Sequence, residues 1–250
     1  MPMSPVPTNP VQTNPMPTNL MPANTGTTMT MIKPKLGSAS PALRTLSCVA
    51  MLLLGGCALL GGGGGNQAST IYAPNPRVQA DPAWPKVDWQ LSLGSATAPR
   101  MVDSLRIAVR PTPNEIQVYK QASWAKTPSS MLEDSLMQTL EDSGRIGAAA
   151  RQGSGIVADY KLVLDLRRFE SAYTPGTPVP EATIEVSAKL LHARDQQVVA
   201  ARTFLQAQPA QTTAVPDVVA AFEQALGTVS GEIAGWALTR GDQHARDATH

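Results

Sequence analysis

The sequence predicts an α+β domain, a mostly antiparallel sheet with two helices packed on one face. Three observations predict it. Strand-like segments come in two groups, and each group is followed by one helical segment. Short turn signals join strands within the groups, as in hairpins. Each helical segment carries a single apolar stripe, so each must cover a surface supplied by the rest of the chain.

The elements follow in order across residues 87–240. Val87-Asp88-Trp89-Gln90-Leu91 alternates apolar and polar residues, as does Leu105-Arg106-Ile107-Ala108-Val109-Arg110, the pattern of half-buried strands. Pro111 and Pro113 stop the second run, Pro113-Asn114 reads as a turn, and Ile116 to Tyr119 returns, so these strands are expected to form a hairpin. Thr127-Pro128 opens the first helix, with the threonine hydroxyl as cap and proline at the first position. Leu132, Leu136 and Leu140 recur every four residues on it, and Gly144 is placed to end it. Ile146 to Ala150 is a short strand.

Three stronger strands come next. Tyr160, Leu162, Leu164 and Leu166 line one face of the first, with Lys161, Asp165 and Arg167 opposite. Ile184, Val186, Ala188 and Leu190 line the second, and Val198 to Leu205 is the third, joined to it by the turn Arg194-Asp195-Gln196-Gln197. Pro216-Asp217 starts a long final helix. Val219, Phe222, Leu226, Val229, Ile233 and Trp236 form its stripe. Gly227, Gly231 and Gly235 flank that stripe, and close approach to the sheet is the expected reason for them. Residues 241–250 read as a polar tail.

Upstream of this domain the composition changes. Residues 1–30 are dominated by Pro, Thr, Asn and Met and cannot bury a core, so they read as disordered low-complexity sequence or as the product of a start codon assigned too early. Residues 31–56 read as a signal peptide. Lys33, Lys35 and Arg44 precede the apolar run Leu46 to Leu54, and small residues Gly55 and Gly56 precede Cys57. The run is about nine residues, well short of the ~20 needed to span a bilayer. A signal that places cysteine directly after the cut resembles a bacterial lipoprotein signal, and the resemblance implies lipidation of Cys57. Residues 57–86 then read as a tether, flexible over Gly61 to Ser69 and stiffer where Pro74, Pro76, Pro82 and Pro85 follow.

From Cys57 onward 17 basic residues face 19 acidic ones. This near balance, without a basic block, gives no electrostatic case for nucleic acid. The other cysteine, Cys48, lies within the signal, so the domain itself has no thiol for a disulfide, a metal or a nucleophile. His192, His244 and His250 show no metal-ligand spacing, and no phosphate-binding loop, dinucleotide fingerprint or nucleophile elbow appears. No cofactor and no catalytic residue is expected. Asp165, in mid-strand, reads as a partner of Arg167 or Arg168. Tyr119 and Trp124 stand just before the first helix. They read either as contacts for a partner or lipid, or as a hydrophobic staple at the helix entry, the simpler reading. Trp236 reads as core.

The run Ser104-Leu105-Arg106-Ile107-Ala108-Val109-Arg110, then Asn114 to Tyr119, Ala122-Ser123-Trp124-Ala125, and Ala158-Asp159-Tyr160-Lys161-Leu162 leading to Leu166-Arg167-Arg168-Phe169-Glu170 resembles the auxiliary lipoproteins of ABC-type transporters. Ser123 departs from that pattern, which usually has arginine before the tryptophan. The resemblance implies a non-enzymatic accessory of a lipid-trafficking system of the mammalian-cell-entry type. Its partners would be an ABC transporter, its substrate-binding subunit, the membrane reached through the lipid anchor, and phospholipid. Ala58 replaces the aspartate that retains such proteins at the inner membrane in the enterobacterial pattern, so the outer membrane, with the domain in the periplasm, is the expected location. An anchored activator of a cell-wall synthase has a similar plan and is the alternative.

Overall fold

A computed structural model describes residues 69–248. The signal, Cys57 and the glycine linker lie outside the described residues. Eight strands and two helices follow in the order β1 (Thr70–Tyr72), β2 (Val87–Leu93), β3 (Arg106–Thr112), β4 (Glu115–Trp124), α1 (Pro128–Ser143), β5 (Ile146–Arg151), β6 (Tyr160–Ala172), β7 (Glu181–His192), β8 (Val198–Pro209) and α2 (Val215–Asp247). The fold is α+β, as its sequence predicts.

All eight strands join one sheet ordered β1-β4-β3-β6-β2-β5, with β7 on β6 and β8 on β7. The long ladders β6/β7 and β7/β8 and the β3/β4 hairpin are antiparallel. Four shorter pairings, β1/β4, β2/β5, β2/β6 and β3/β6, are parallel, so the sheet is mixed. The expectation that the first strand joins the β3/β4 hairpin is corrected, because β2 pairs with β5 and β6. Opposite β7, the other edge of β6 is shared. β2 takes its start, β3 takes its end, and Thr97 bridges to Asp165 between them.

Alternation explains the core. Leu162, Leu164 and Leu166 on β6 and Ile184, Val186, Ala188 and Leu190 on β7 are all fully buried, since residues two apart on a strand share a face. A register shift between Leu166 and Arg168 inserts one extra residue, and the phase changes so that Phe169 points inward. The helices lie side by side over these residues, joined by a buried hydrogen bond from Ser135 Oγ to Ser230 Oγ of 2.8 Å.

The ends of the helices refine the sequence reading. Gly144 closes α1 in the left-handed region at φ 58°, its N–H donating to Glu141 O, a conformation glycine adopts without a Cβ penalty. Thr127 occupies the cap position but makes no capping bond. Asp103 Oδ1, from the loop before β3, accepts from Ser129 N instead at 3.0 Å. The expected polar tail is helical through Asp247. Its polarity did not stop it: Gly241 is buried, and one turn further on His244 Nδ1 lies 2.9 Å from the Tyr160 hydroxyl.

Residues 70–86, expected to be part of a free tether, are instead part of the folded domain. Thr70–Tyr72 pairs in parallel with Ala122–Trp124. Residues 73–86 then run as a strap along α2. Ideal Cβ atoms built on Gly227, Gly231 and Gly235 would stand 3.1 Å from Pro76 Cβ, 3.1 Å from Val78 Cγ1 and 2.4 Å from Trp84 Nε1. The glycine stripe therefore admits the strap, and the expectation that it approaches the sheet is corrected. Gly241 does the same for Trp89 on β2, 2.5 Å from the indole.

Candidate functional site

The strap meets the domain with few polar ties. Its four prolines have no N–H to give. Asn75 N donates to Glu223 Oε1 at 3.2 Å, and exposed Arg77 pairs with Asp142 at 3.4 Å. Asp81 folds the strap on itself, accepting from Ala83 N and Trp84 N. A groove of about 330 Å³ remains between strap and α1, lined by Pro74, Pro76, Lys126, Met131 and Ser135 among others. Lys126 there is already paired with Asp134 at 2.7 Å.

Of the sequence-predicted contact residues, Trp124 is 2% exposed. It packs edge-on against Phe169 and Phe222 with ring centres 5.9 and 5.2 Å away, while those two rings stack on each other at 4.8 Å. Its N–H backbone group donates to Leu105 O. The expectation of a partner or lipid contact at Trp124 is thus corrected: the ring is a core anchor that joins β4, β6 and α2. Tyr119 is half-buried, its hydroxyl 3.0 Å from Ser171 Oγ. Burial pushes its phenol above the ordinary value. Cys57 lies outside the described residues. Trp236 is buried, edge-on to Phe204 at 5.7 Å.

Beside Tyr119 lies a charge cluster. Glu170, 1% exposed, accepts from Arg110 Nε and Nη2 at 2.7 and 2.9 Å and from Arg168 Nε at 2.9 Å. Burial alone would raise its carboxyl, but the hydrogen bonds from the two guanidinium groups outweigh burial and hold it below its ordinary value. Asp165 pairs with Arg167 at 3.3 Å, at half exposure. Arg110, Arg168 and Glu170 compensate one another, and Asp165 also accepts from Thr97 Oγ1 at 3.2 Å, so these groups tie β3 and the segment at Thr97 to β6.

Sequence spacing missed one constellation. His192 at the end of β7 and His244 near the end of α2 are 52 residues apart in sequence, yet their ring centres are 5.2 Å apart, and both rings lie against Tyr160. No local signal could have found the pair, because only the packing of α2 on the sheet joins it. Among the described residues, no group of three or more His, Cys, Asp or Glu side chains is arranged to hold a metal ion.

At the end where the chain enters the domain, two large apolar residues face solvent. Ile71 on β1 pairs with Ser123 and is 67% exposed, and Leu105 beside Trp124 is 50% exposed.

The model of the ABC-type transport auxiliary lipoprotein component family matches residues 70–234. The chain belongs to this family. The match begins at β1, so the strap belongs to the family's domain and not to a spacer before it. A crystal structure of protein XCC0632 from Xanthomonas campestris is 54% identical and superposes with a TM-score of 0.68, covering 71% of this chain and 99% of that one. The crystal structure of an uncharacterized protein, 15% identical with a TM-score of 0.53, covers 67% of this chain and 97% of that one and shares the fold. An uncharacterized protein of Bradyrhizobium diazoefficiens is 26% identical over 157 residues, 63% of this chain and 41% of the relative. The chain thus spans less than half of that relative's length. The family is that of auxiliary lipoprotein components of ABC-type transport. No helix among the described residues is long and apolar enough to cross a membrane.

Proposed function

We propose that this auxiliary lipoprotein is held in the outer membrane by lipid on Cys57, faces the periplasm, and acts without catalysis as an accessory of an ABC-type lipid transport system. The observation that carries the reading is the continuity between the lipidation signal and the strap. Leu54-Gly55-Gly56-Cys57 stands 13 residues before Thr70, where the chain pairs directly into the sheet. Thirteen residues reach at most ~45 Å, so a lipid on Cys57 would keep this end of the domain near the membrane surface. Exposed Ile71 and Leu105 at the same end support contact there with lipid or with an apolar partner surface. Ala58 after the lipidated cysteine supports the outer membrane. ATP hydrolysis and permeation belong to other chains in this reading, and a substrate-binding subunit of the mammalian-cell-entry type is the expected neighbour.

The test is a pull-down of the lipidated protein from membranes, with identification of copurifying subunits and of phospholipid. An ATPase, a permease and a substrate-binding subunit are expected together. Recovery of a cell-wall synthase without transporter subunits would replace this reading with that of an anchored activator. Cys57→Ala is expected to move the domain to the soluble periplasmic fraction with an unchanged melting temperature. A variant that stays in the membrane fraction would refute the lipid anchor.

A further inference from the structure

His192 and His244 are the side chains that neither the fold nor the transport reading uses. They come from different elements, and each has one ring nitrogen committed. His192 Nδ1 lies 3.0 Å from Asp195 Oδ1. A carboxylate can only accept, so the proton is on Nδ1 and Nε2 of the neutral ring is a bare lone pair. His244 Nδ1 lies 2.9 Å from the Tyr160 hydroxyl, which also donates to Gly241 O at 3.2 Å. The phenol has one proton. The arrangement that makes both contacts hydrogen bonds gives that proton to the carbonyl, and His244 Nδ1–H then donates to the tyrosine oxygen. His244 Nε2 is bare as well.

This is how metal-binding histidines are prepared: a second partner holds Nδ1–H, setting the tautomer and turning the ring, while Nε2 is left for the ion. The separation also fits. Two imidazoles that each bind one tetrahedral ion at ~2.0–2.1 Å have ring centres roughly 5.2 Å apart, and these stand at 5.2 Å. Side-chain exposure of 28% at His192 leaves the pair open to an ion from solvent. Two carboxylates, Asp159 and Asp242, lie near enough to Tyr160 to act on it electrostatically, and with burial they push its phenol up and keep it a hydroxyl. Asp242 is itself paired with Arg246, whereas Asp159, among the described residues, accepts only a backbone bond from Gln90 N, so it is the Asp159 charge that favours a cation here.

We propose that His192 and His244 form a surface site for a borderline divalent cation of the zinc class, binding through both Nε2 atoms, with Asp195 and Tyr160 as positioning residues and water in the remaining positions. The ion would tie the end of α2 to the end of β7, where His192 pairs with Tyr160 at the start of β6. Borderline ions follow from the imidazole donor set, because magnesium and calcium take oxygen ligands.

The test uses the full chain without a histidine tag, titrated with zinc chloride by isothermal calorimetry and followed by ¹⁵N NMR of the imidazole nitrogens. One zinc per chain is expected, with the Nε2 resonances of His192 and His244 shifting together and those of His250 unmoved. His192→Gln and His244→Gln are each expected to weaken binding at least tenfold, and Asp195→Asn about tenfold through the lost orientation of His192. Absence of saturation by millimolar zinc, binding that survives the double His192→Gln/His244→Gln variant, or a response at Nδ1 in place of Nε2 would each overturn the proposal. The NMR readout on the wild-type protein stands even if a variant fails to fold.

Discussion

Alanine at Gly235 tests whether the strap is packed on α2 through its glycine stripe. Two effects of opposite sign compete. Alanine in a helix interior is worth about 0.5–1 kcal/mol over glycine, because glycine loses more backbone entropy on folding. Against this, the new Cβ would stand 2.4, 2.9 and 3.1 Å from Nε1, Cε2 and Cδ1 of Trp84. These are atoms of a rigid ring, so the indole must retreat by roughly 1 Å or leave, since non-bonded carbon contacts settle near 3.5–4.0 Å. Trp84 is half-buried. A tryptophan buries ~150–250 Å², and half of that at about 25 cal/mol per Å² is roughly 2–3 kcal/mol. The burial term wins, and a net loss of about 1–2 kcal/mol is expected. Gly231→Ala is the control. Its Cβ would meet only Val78 Cγ1, at 3.1 Å, and a methyl at the end of a side chain can give way. That variant should be neutral or gain up to ~1 kcal/mol. Urea unfolding measures both, and hydrogen exchange over residues 73–86 should rise in Gly235→Ala alone. A Gly235→Ala protein as stable as Gly231→Ala, with unchanged exchange in the strap, would refute the reasoning.

Two further predictions concern the core and the charge cluster. Trp124→Ala removes a ring that is 2% exposed and packed edge-on against the stacked Phe169 and Phe222, so a loss of about 3–5 kcal/mol is expected. Denaturant unfolding measures it, and a loss below ~1 kcal/mol would place the ring at the surface after all. Glu170→Gln keeps the shape but leaves Arg110 and Arg168 without their counter-charge. Both arginines are partly exposed, so the cost should fall near 2–3 kcal/mol, below that of a fully buried pair. The carboxyl is held below its ordinary value in the folded protein, so its contribution is present above the unfolded carboxyl's value and is lost as pH falls through the folded one. The stability gap between wild type and Glu170→Gln should therefore be full near neutrality and close in acid. A gap that widens in acid would reverse the assigned sign.

Features whose signals are local were legible in the residues alone. Alternation at Leu162, Leu164 and Leu166 and at Ile184 to Leu190 marked the strands that fill the core, because a strand's faces repeat every two residues. The spacing of Leu132, Leu136 and Leu140, with Gly144 behind them, marked α1 and its end. The proposed lipidation of Cys57 rests on the same kind of local signal, charge, hydropathy and small residues along one stretch. The family resemblance also rested on the order of such stretches.

Tertiary structure alone decided where each element went. The alternation of Val87 to Leu91 shows a strand but cannot name its neighbour, and β2 lies between β5 and β6 because the face carrying Val87, Leu91 and Leu93 is buried in the core there, not because of any turn beside it. The prolines of residues 74–85 look the same in a free tether and in a docked strap. The difference is the line of glycines at 227, 231 and 235, some 150 residues away, on which Pro76, Val78 and Trp84 lie. Trp124 carried no mark that separated an exposed contact from a core anchor until Phe169 and Phe222 closed around it. His192 and His244 looked like isolated residues for the same reason. Their meeting required the whole length of α2 to cross the sheet, a distance over which sequence periodicity carries no information.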